Sequence, residues 1–196
     1  MTKNFKHTAK SDGTMKQDGD TIVLTFEREL NHPVDKVWAR LTTPELIKSW
    51  MADGGGEIDL RVGGKIHLFE SGGEWVNSHI TALEPEKLLE FGFKSSEWDG
   101  GRVRFELSPT SDGTRLVLTH EMPHMTEAEQ ADFSSRFELP EGWEQRSSTL
   151  AGWHAILDRL PRALDHAPVD WDMDVWKKHH KRYKEKIGAR ADHAGA

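Results

Sequence analysis

The chain has 196 residues, a net charge of −7, and a composition of 36% hydrophobic and 30% charged side chains. These values exclude an intrinsically disordered polypeptide and are typical of a globular chain long enough for one domain with a sizeable core. Cysteine is absent, which excludes disulfide bonds, a thiolate nucleophile and thiolate metal ligands.

The first 19 residues are polar and contain no apolar segment of the kind that secretory signals carry. We therefore predict a flexible N-terminal arm over residues 1–19 and a cytoplasmic protein. No apolar run in the sequence approaches the roughly 18 residues that a membrane-spanning helix requires, so membrane insertion is not expected.

A strand and two short helices are the first predicted elements. Residues 21–30, TIVLTFEREL, alternate between apolar and polar side chains, a pattern typical of a strand. Pro33 favours the first turn of a helix, and Thr43-Pro44 opens a second, shorter helix. The glycines at 54–56 end that second helix because a run of glycine does not sustain helical structure.

Five further strands follow, and turns that contain glycine or proline separate them. Asp-Gly and Gly-Gly pairs supply the positive φ angles that tight hairpin turns require. Short connections of this kind join antiparallel neighbours, so the sequence predicts an antiparallel meander. Its strands are KIHLFE, EWVNSHITAL, KLLEFGF, RVRFEL and TRLVLTHE.

Residues 141–164 form the longest predicted helix. Apolar residues recur every three or four positions along it, giving one stripe that would cover a face of the sheet. Pro161 cannot donate a backbone hydrogen bond, so we expect a kink or a break there. Gly152 lowers helix stability relative to alanine. We interpret it as a point of close packing against a strand, and the alternative is room for a ligand beside the helix.

Two further helices are predicted on either side of the long one. Residues 125–137 form a short helix in which Thr126 and Glu129 have the spacing of a capping box. Residues 171–187 form an amphipathic helix. Residues 177–190 contain seven basic and one acidic side chain, a net charge of +6 that leaves −13 on the rest of the chain. A body this acidic repels phosphate backbones, so nucleic-acid binding is not expected.

The segment His120-Glu121-Met122-Pro123-His124 matches the H-E-x-x-H pattern of zinc metallopeptidases. That chemistry needs a helix, on which both imidazoles lie on one face. The preceding residues predict a strand, in which His120 and Glu121 point to opposite faces, and Pro123 would interrupt a helix. We therefore predict no catalytic zinc and no other cofactor. A nonhelical metal site formed by His120 and His124 is the alternative.

Five segments together have the sequence motifs of a known family, in the same order along the chain. They are HPVDKVWARLTTPELIKSW at 32–50, VGGKIHL at 62–68, LEPEKLLEF at 83–91, LVLTHE at 116–121 and GWHAILDRLPRAL at 152–164. This combination resembles the activator of heat-shock protein 90 ATPase homologue family, within the START-like (SRPBCC, Bet v 1-like) superfamily. The resemblance covers about residues 20–165.

The resemblance implies an α+β helix-grip fold. In that fold a curved antiparallel sheet wraps around a long C-terminal helix, and two short helices follow the first strand. It implies a START-like domain over residues 20–165, with the arm 1–19 before it and a helical basic tail at 166–196. Many relatives hold lipids, polyketides or other apolar molecules in a cavity between the sheet and the long helix.

Ligand-binding residues are expected among the aromatic and apolar side chains of the elements that would face this cavity. Eight tryptophans and eight phenylalanines against one tyrosine favour apolar contacts with few hydroxyl groups. Packing in an ordinary core explains such residues as well. The predicted ligand-binding residues are Trp50, Trp75, Phe91, Phe93, Phe105, His120, Trp153 and Leu157. Further polar candidates are His67, His79, His154, Arg104 and Glu121.

Three functions are compatible with this sequence. The first hypothesis is noncatalytic binding of a small apolar molecule. The second is a cyclase- or hydrolase-type enzyme that uses the same cavity, for which a His–Glu or His–Arg pair in the lining would be diagnostic. The third is a chaperone-linked protein-interaction module, which rests on family analogy alone. The sequence singles out no catalytic residue. It leaves open a protein partner and a homodimer.

Overall fold

The computed structural model describes residues 12–70, 73–136, 139, 144–167 and 169–194. Within these ranges the chain forms one eight-stranded sheet and five helices. In chain order the elements are β1 (Thr14–Asp18), β2 (Thr21–Leu30), α1 (Val34–Thr42), α2 (Pro44–Ile47), β3 (Gly55–Ile58), β4 (Lys65–Glu70), β5 (Gly73–Glu84), β6 (Leu88–Lys94), β7 (Asp99–Pro109), β8 (Thr114–Pro123), α3 (Glu127–Arg136), α4 (Gln145–Leu164) and α5 (Met173–Ala194).

The sheet is antiparallel throughout, with the strand order β1-β2-β8-β7-β6-β5-β4-β3. The meander from β4 to β8 runs as predicted, and β8 returns to pair with β2, where Leu24 lies opposite His120. This curved sheet with its long C-terminal helix is the expected α+β helix-grip fold, and that prediction is confirmed.

The hydrophobic core lies between the sheet and α4. Alternate side chains of β2 and β8 point inward, as the two-residue period of a strand requires, and are buried. The predicted apolar stripe of α4 meets them, and full burial of each large apolar side chain contributes about 1.5–3 kcal/mol. The stripe consists of Leu150, Trp153, Leu157, Leu160 and Leu164.

Two short strands depart from the predictions. Residues 14–18 fall inside the predicted flexible arm, yet they form β1 at the edge of the sheet, paired with β2. Four of these five side chains are exposed, so their sequence has no apolar alternation. β3 starts within the glycine run at 54–56, for which the sequence predicts only the end of the second short helix. A Cβ at Gly56 would lie 2.3 Å from the carbonyl oxygen of His67, so glycine permits this close strand pairing. Residues 1–11 lie outside the described ranges.

The two specific helix predictions have different outcomes. The capping box forms, since Thr126 N donates to Glu129 Oε2 at 2.7 Å and Glu129 N donates to Thr126 Oγ1 at 3.3 Å. The expected break at Pro161 is wrong, because α4 continues through it to Leu164. Pro161 lies in the last turn of the helix, where its missing N–H removes one hydrogen bond and little helix remains to disrupt.

Helix α5 packs against α4, and its Tyr183 is almost fully buried. Residues 173–194, which belong to the segment predicted as a tail, are therefore integrated with the core. Among the described residues, no helix combines the length and apolar character needed to cross a bilayer.

Candidate ligand-binding cavity

A cavity of about 340 Å³ opens where the sheet, the first half of α4 and the start of α5 meet. Most of its lining is aromatic or aliphatic. The strands contribute Glu70, Trp75 and Phe93, α4 contributes Ser148, Thr149, Gly152, Trp153 and Ile156, and the C-terminal segment contributes Trp171, Met173 and Trp176, with Leu139 completing the wall.

Phe93 organises the inner aromatic wall of this cavity. Its ring lies 5.3 Å from that of Trp75, at an interplanar angle of 89°, and 5.5 Å from that of Trp153. Trp98 packs on it from the far side at 5.2 Å. These separations are in the range of favourable aromatic pairs, so the wall is a preformed apolar surface.

Gly152 lies in the lining of the cavity on α4. A Cβ built at this position would have no heavy atom within 4 Å outside the local helix backbone. The interpretation of Gly152 as a close contact with a strand is therefore wrong, and the alternative, open space beside the helix, describes the structure. A side chain here would enter the cavity.

His120 supports this wall from behind and does not reach the cavity. Its Nδ1 accepts a hydrogen bond of 2.9 Å from Trp153 Nε1, and its Nε2 donates one of 2.7 Å to the carbonyl oxygen of Gly100. The indole can only donate and the carbonyl can only accept, which sets the neutral Nε2–H tautomer. Complete burial lowers the pKa of His120 to about 4, against a weaker opposing effect of the Gly100 hydrogen bond. Both ring nitrogens are occupied.

Three of the eight predicted ligand-binding residues line the cavity, namely Trp75, Phe93 and Trp153. Four others lie in the packed core outside the lining. Phe91 and Phe105 pack on each other at 6.4 Å. Trp50 is buried beside α1 and α2, where its Nε1 donates to the Arg40 carbonyl at 3.0 Å. These four are Trp50, Phe91, Phe105 and Leu157.

The further polar candidates also lie outside the lining. His79 is exposed, and His154 faces α5. The remaining three are paired with other charged or titratable side chains, in the pairs Arg104–Glu90, Glu121–Arg102 and His67–Glu74. No histidine therefore lines the cavity in the described part of the chain.

Sequence reasoning missed the contribution of the C-terminal segment to the cavity. Trp171 and Met173 are partly exposed and lie in the stretch DWDMDVWKK, where bulky apolar residues alternate with charged ones. Isolated apolar side chains in so polar a stretch indicate that the segment contacts an apolar surface. Glu70 was missed as well, since nothing in KIHLFE distinguishes the last residue of the strand.

Among the described residues, Glu70 is the single charged side chain in the lining. Partial burial, and then the charge of Asp53, raise the pKa of Glu70, and the charge of Arg159 opposes this shift by less. The guanidinium of Arg159 lies 5.9 Å from the ring centroid of Trp171. Arg159 itself is not part of the lining.

A second polar cluster lies on the opposite side of α4, facing α5. Asp158 is at its centre, with Oδ1 3.3 Å from a guanidinium nitrogen of Arg28. The two carboxylate oxygens face Nε2 of His154 at 3.6 Å and Nε2 of His179 at 3.3 Å. The imidazole rings of these histidines stack with centroids 4.0 Å apart. This arrangement joins β2, α4 and α5 through one carboxylate.

Tyr183 and Arg182 of α5 complete this cluster. The Tyr183 hydroxyl accepts a hydrogen bond of 2.7 Å from the backbone N–H of Gly13 and donates one of 2.6 Å to Nδ1 of His154. Burial raises the pKa of Tyr183 to about 12. A guanidinium nitrogen of Arg182 lies 3.2 Å from Nδ1 of His154 and 3.3 Å from Nδ1 of His179. We call these residues, with Asp158 and Arg28, the α4–α5 network.

His154, Asp158 and His179 also form a group of ligand atoms within 4.8 Å of one another, which is close enough to hold a metal ion. The hydrogen-bond roles oppose that use. Arg182 can only donate, so both Nδ1 atoms accept, and in each neutral imidazole the hydrogen then lies on Nε2, the nitrogen nearer to Asp158. A metal bound through Nε2 would require the opposite tautomers, beside the positive charges of Arg28 and Arg182. The residues fit a hydrogen-bonded network and do not fit a metal site.

The model of the family described as "Activator of Hsp90 ATPase homolog 1-like protein" matches residues 31–165. The chain is similar in structure to a conserved protein of unknown function from Enterococcus faecalis, with a TM-score of 0.67 and 24% identity over 90% of this chain and 91% of that one. It is also similar to CalU16 from Micromonospora echinospora, with a TM-score of 0.61 and 22% identity over 88% of this chain and 94% of that one. No curated protein sequence matches.

Proposed function

The chain belongs to the Activator of Hsp90 ATPase homolog 1-like protein family, and from this premise we propose that it binds a small hydrophobic molecule in the cavity between its sheet and α4. The observation that carries the proposal is the open space at Gly152, directly beside an aromatic wall. A volume of about 340 Å³ is at the lower end of the range of roughly 300–1,000 Å³ for small-molecule sites.

The composition of the lining supports binding over storage of water. Trp75, Phe93 and Trp153 present large apolar surfaces, and the indole N–H of Trp153 is already bonded to His120. Water against these three rings would find few hydrogen-bond partners, because a bound water needs two to four of them. A ligand with an apolar body would bury this surface at about 25 cal/mol per Å².

Native mass spectrometry of the freshly purified protein tests the proposal, with Gly152→Leu as the blocking variant. We expect an organic mass that is lost on denaturation and is absent from Gly152→Leu. Gly188→Leu is the matched control, since Gly188 is a helical glycine with equally open surroundings that does not line this cavity. Equal retention of the mass by both variants would place the ligand elsewhere and refute the proposal.

A protein-interaction surface is the second candidate function, and the exposure of Trp171, Met173 and Val175 at the start of α5 favours it. Val175 separates the two functions because it is exposed but does not line the cavity. Under the second candidate, Val175→Glu would abolish capture of a partner. Under the first, it would leave the bound organic mass unchanged. Enzymatic use of the cavity has no such observation behind it, since the described lining residues include no His–Glu or His–Arg pair.

A further inference from the structure

We propose that the ligand of this cavity is an organic cation, with an apolar body and an ammonium group that lies near Glu70. This inference rests on the proposed function and narrows it to one chemical class. Two observations support this inference: the charge of the lining and the number of aromatic faces around it.

The lining contains one charged group, and that group is an acid. Of its described members only Glu70 carries a charge, and none is basic. The remaining polar members are Ser148 and Thr149, and Thr149 already donates its hydroxyl to the Gln145 carbonyl at 2.6 Å. The Glu70 carboxylate is exposed to solvent and feels the charge of Arg159, but no ion-pair partner lies within 4.0 Å of it among the described residues. An ammonium group in the cavity would supply a direct partner.

Five aromatic rings of the described residues surround the same space. The faces of indole and phenyl rings carry negative charge density and attract ammonium groups, by about 0.5–2 kcal/mol for each favourable contact. Trp171 already attracts one cation, since the guanidinium of Arg159 lies 5.9 Å from its ring centroid. The rings are Trp75, Phe93, Trp153, Trp171 and Trp176.

Glu70 has one acidic and one basic neighbour that act on its charge. Partial burial is the largest cause that raises the pKa of the Glu70 carboxyl, the charge of Asp53 follows, and the charge of Arg159 opposes them by less. The larger effect of Asp53 favours a positive charge at this point. Arg159 is the group that would favour an anion instead. Its guanidinium has no carboxylate oxygen within 4.0 Å among the described residues, and it lies outside the lining.

Three probes that share a benzyl group separate a cationic, a neutral and an anionic ligand: benzyltrimethylammonium, its neutral carbon analogue neopentylbenzene, and the anion phenylacetate. Titration of the full chain, followed by the indole ¹H–¹⁵N signals of its tryptophans, gives an affinity for each probe. We expect the cation to bind about tenfold more tightly than the neutral analogue. Glu70→Gln should remove most of this preference and leave binding of the neutral probe unchanged. Glu45→Gln, a change at an exposed carboxylate on α2, is the control.

Equal affinities for the cation and the neutral analogue would overturn the inference while leaving the proposed function intact. Tighter binding of phenylacetate, lost in Arg159→Gln, would overturn it in favour of an anionic ligand. If none of the probes shifts an indole signal, and the native mass spectrum shows the bare chain, the proposed function fails and the inference fails with it.

Discussion

The indole nitrogen of Trp153 donates a hydrogen bond of 2.9 Å to Nδ1 of His120, which joins the long helix to strand β8. Trp153 forms part of the cavity wall and His120 lies behind it, so the bond holds a wall residue in one orientation. His120 is in turn held by the carbonyl of Gly100. The wall is thus preorganised by a polar contact within an apolar core.

Loss of this hydrogen bond should destabilise the protein. We expect Trp153→Phe to lower the free energy of unfolding by about 1–3 kcal/mol, because it leaves the buried Nδ1 of His120 without a donor and opens space where the indole was. Urea denaturation measures the change. Adding His120→Leu removes both polar partners, so the double variant should lose less than the sum of the two single variants. Strictly additive losses would contradict the coupling.

Acid should destabilise the fold through His120 before the carboxylates titrate. Burial holds the pKa of His120 at about 4, below the ordinary value of 6.5, so between these pH values the unfolded chain binds the extra proton. The free energy of unfolding should therefore fall as pH decreases from about 6.5 to about 4, by roughly 3 kcal/mol for this group. Urea denaturation across this range should show a shallower pH dependence in His120→Gln.

The control for the pH experiment is the exposed His79. His79→Gln should retain the full pH dependence of the original chain. His154 contributes to the remaining slope of the His120 variant, since burial lowers its pKa to about 4 as well, despite the opposing charge of Asp158. An unchanged slope in His120→Gln would show that His120 is not buried as a neutral side chain.

Gly152→Ala should stabilise the protein by about 0.5–1 kcal/mol. The added methyl group meets no heavy atom within 4 Å, and alanine is the better residue in a helix interior. Thermal or urea unfolding measures the gain. Gly56→Ala provides the opposite case, because its Cβ would lie 2.3 Å from the His67 carbonyl oxygen and should destabilise β3. A loss of stability in Gly152→Ala would restore the close-packing interpretation.

Asp158→Asn should release α5 from α4. The change removes the one negative charge among Arg28, His154 and His179, at a cost of about 2–4 kcal/mol. This is the lower part of the range for a broken buried ion pair, because the Asp158 side chain is 34% exposed. Relative to the original chain, hydrogen exchange in Asp158→Asn should become faster in α5 and change less in the sheet. Asp174→Asn, at an exposed position, should leave the exchange rates of α5 and of the sheet unchanged.

The sequence predicted the regular part of the fold well, because its signals are local. The alternation in TIVLTFEREL and the glycine turns of the meander each depend on a few neighbouring residues. β1 escaped prediction because Thr14–Asp18 is an edge strand with almost no buried side chain. β3 escaped because the glycines that permit its close pairing also look like a loop.

The candidate site was harder to predict, because it depends on how far along its strand or helix each residue lies and on how these elements pack against one another. Phe91 and Phe93 point to the same side of β6, yet of these two only Phe93 lines the cavity. A shift of two residues along the strand therefore decides between the packed core and the cavity wall. His120 was predicted as a ligand-binding residue together with Trp153, whereas its role as a support follows from its tautomer and burial, which a sequence pattern does not contain. The entry of Trp171 and Trp176 into the lining requires knowledge of where α5 packs.

The position of α5 divides the cavity between two stretches of the chain. Strands β3–β8 and α4 lie within residues 31–165, which the family model matches, while Trp171 and Trp176 lie beyond it. A chain without its last helix would lose two of the five aromatic faces that the described residues contribute, together with the buried Tyr183. Substitutions at Trp171 and Trp176 can therefore change the wall of the cavity without changing the sheet or α4.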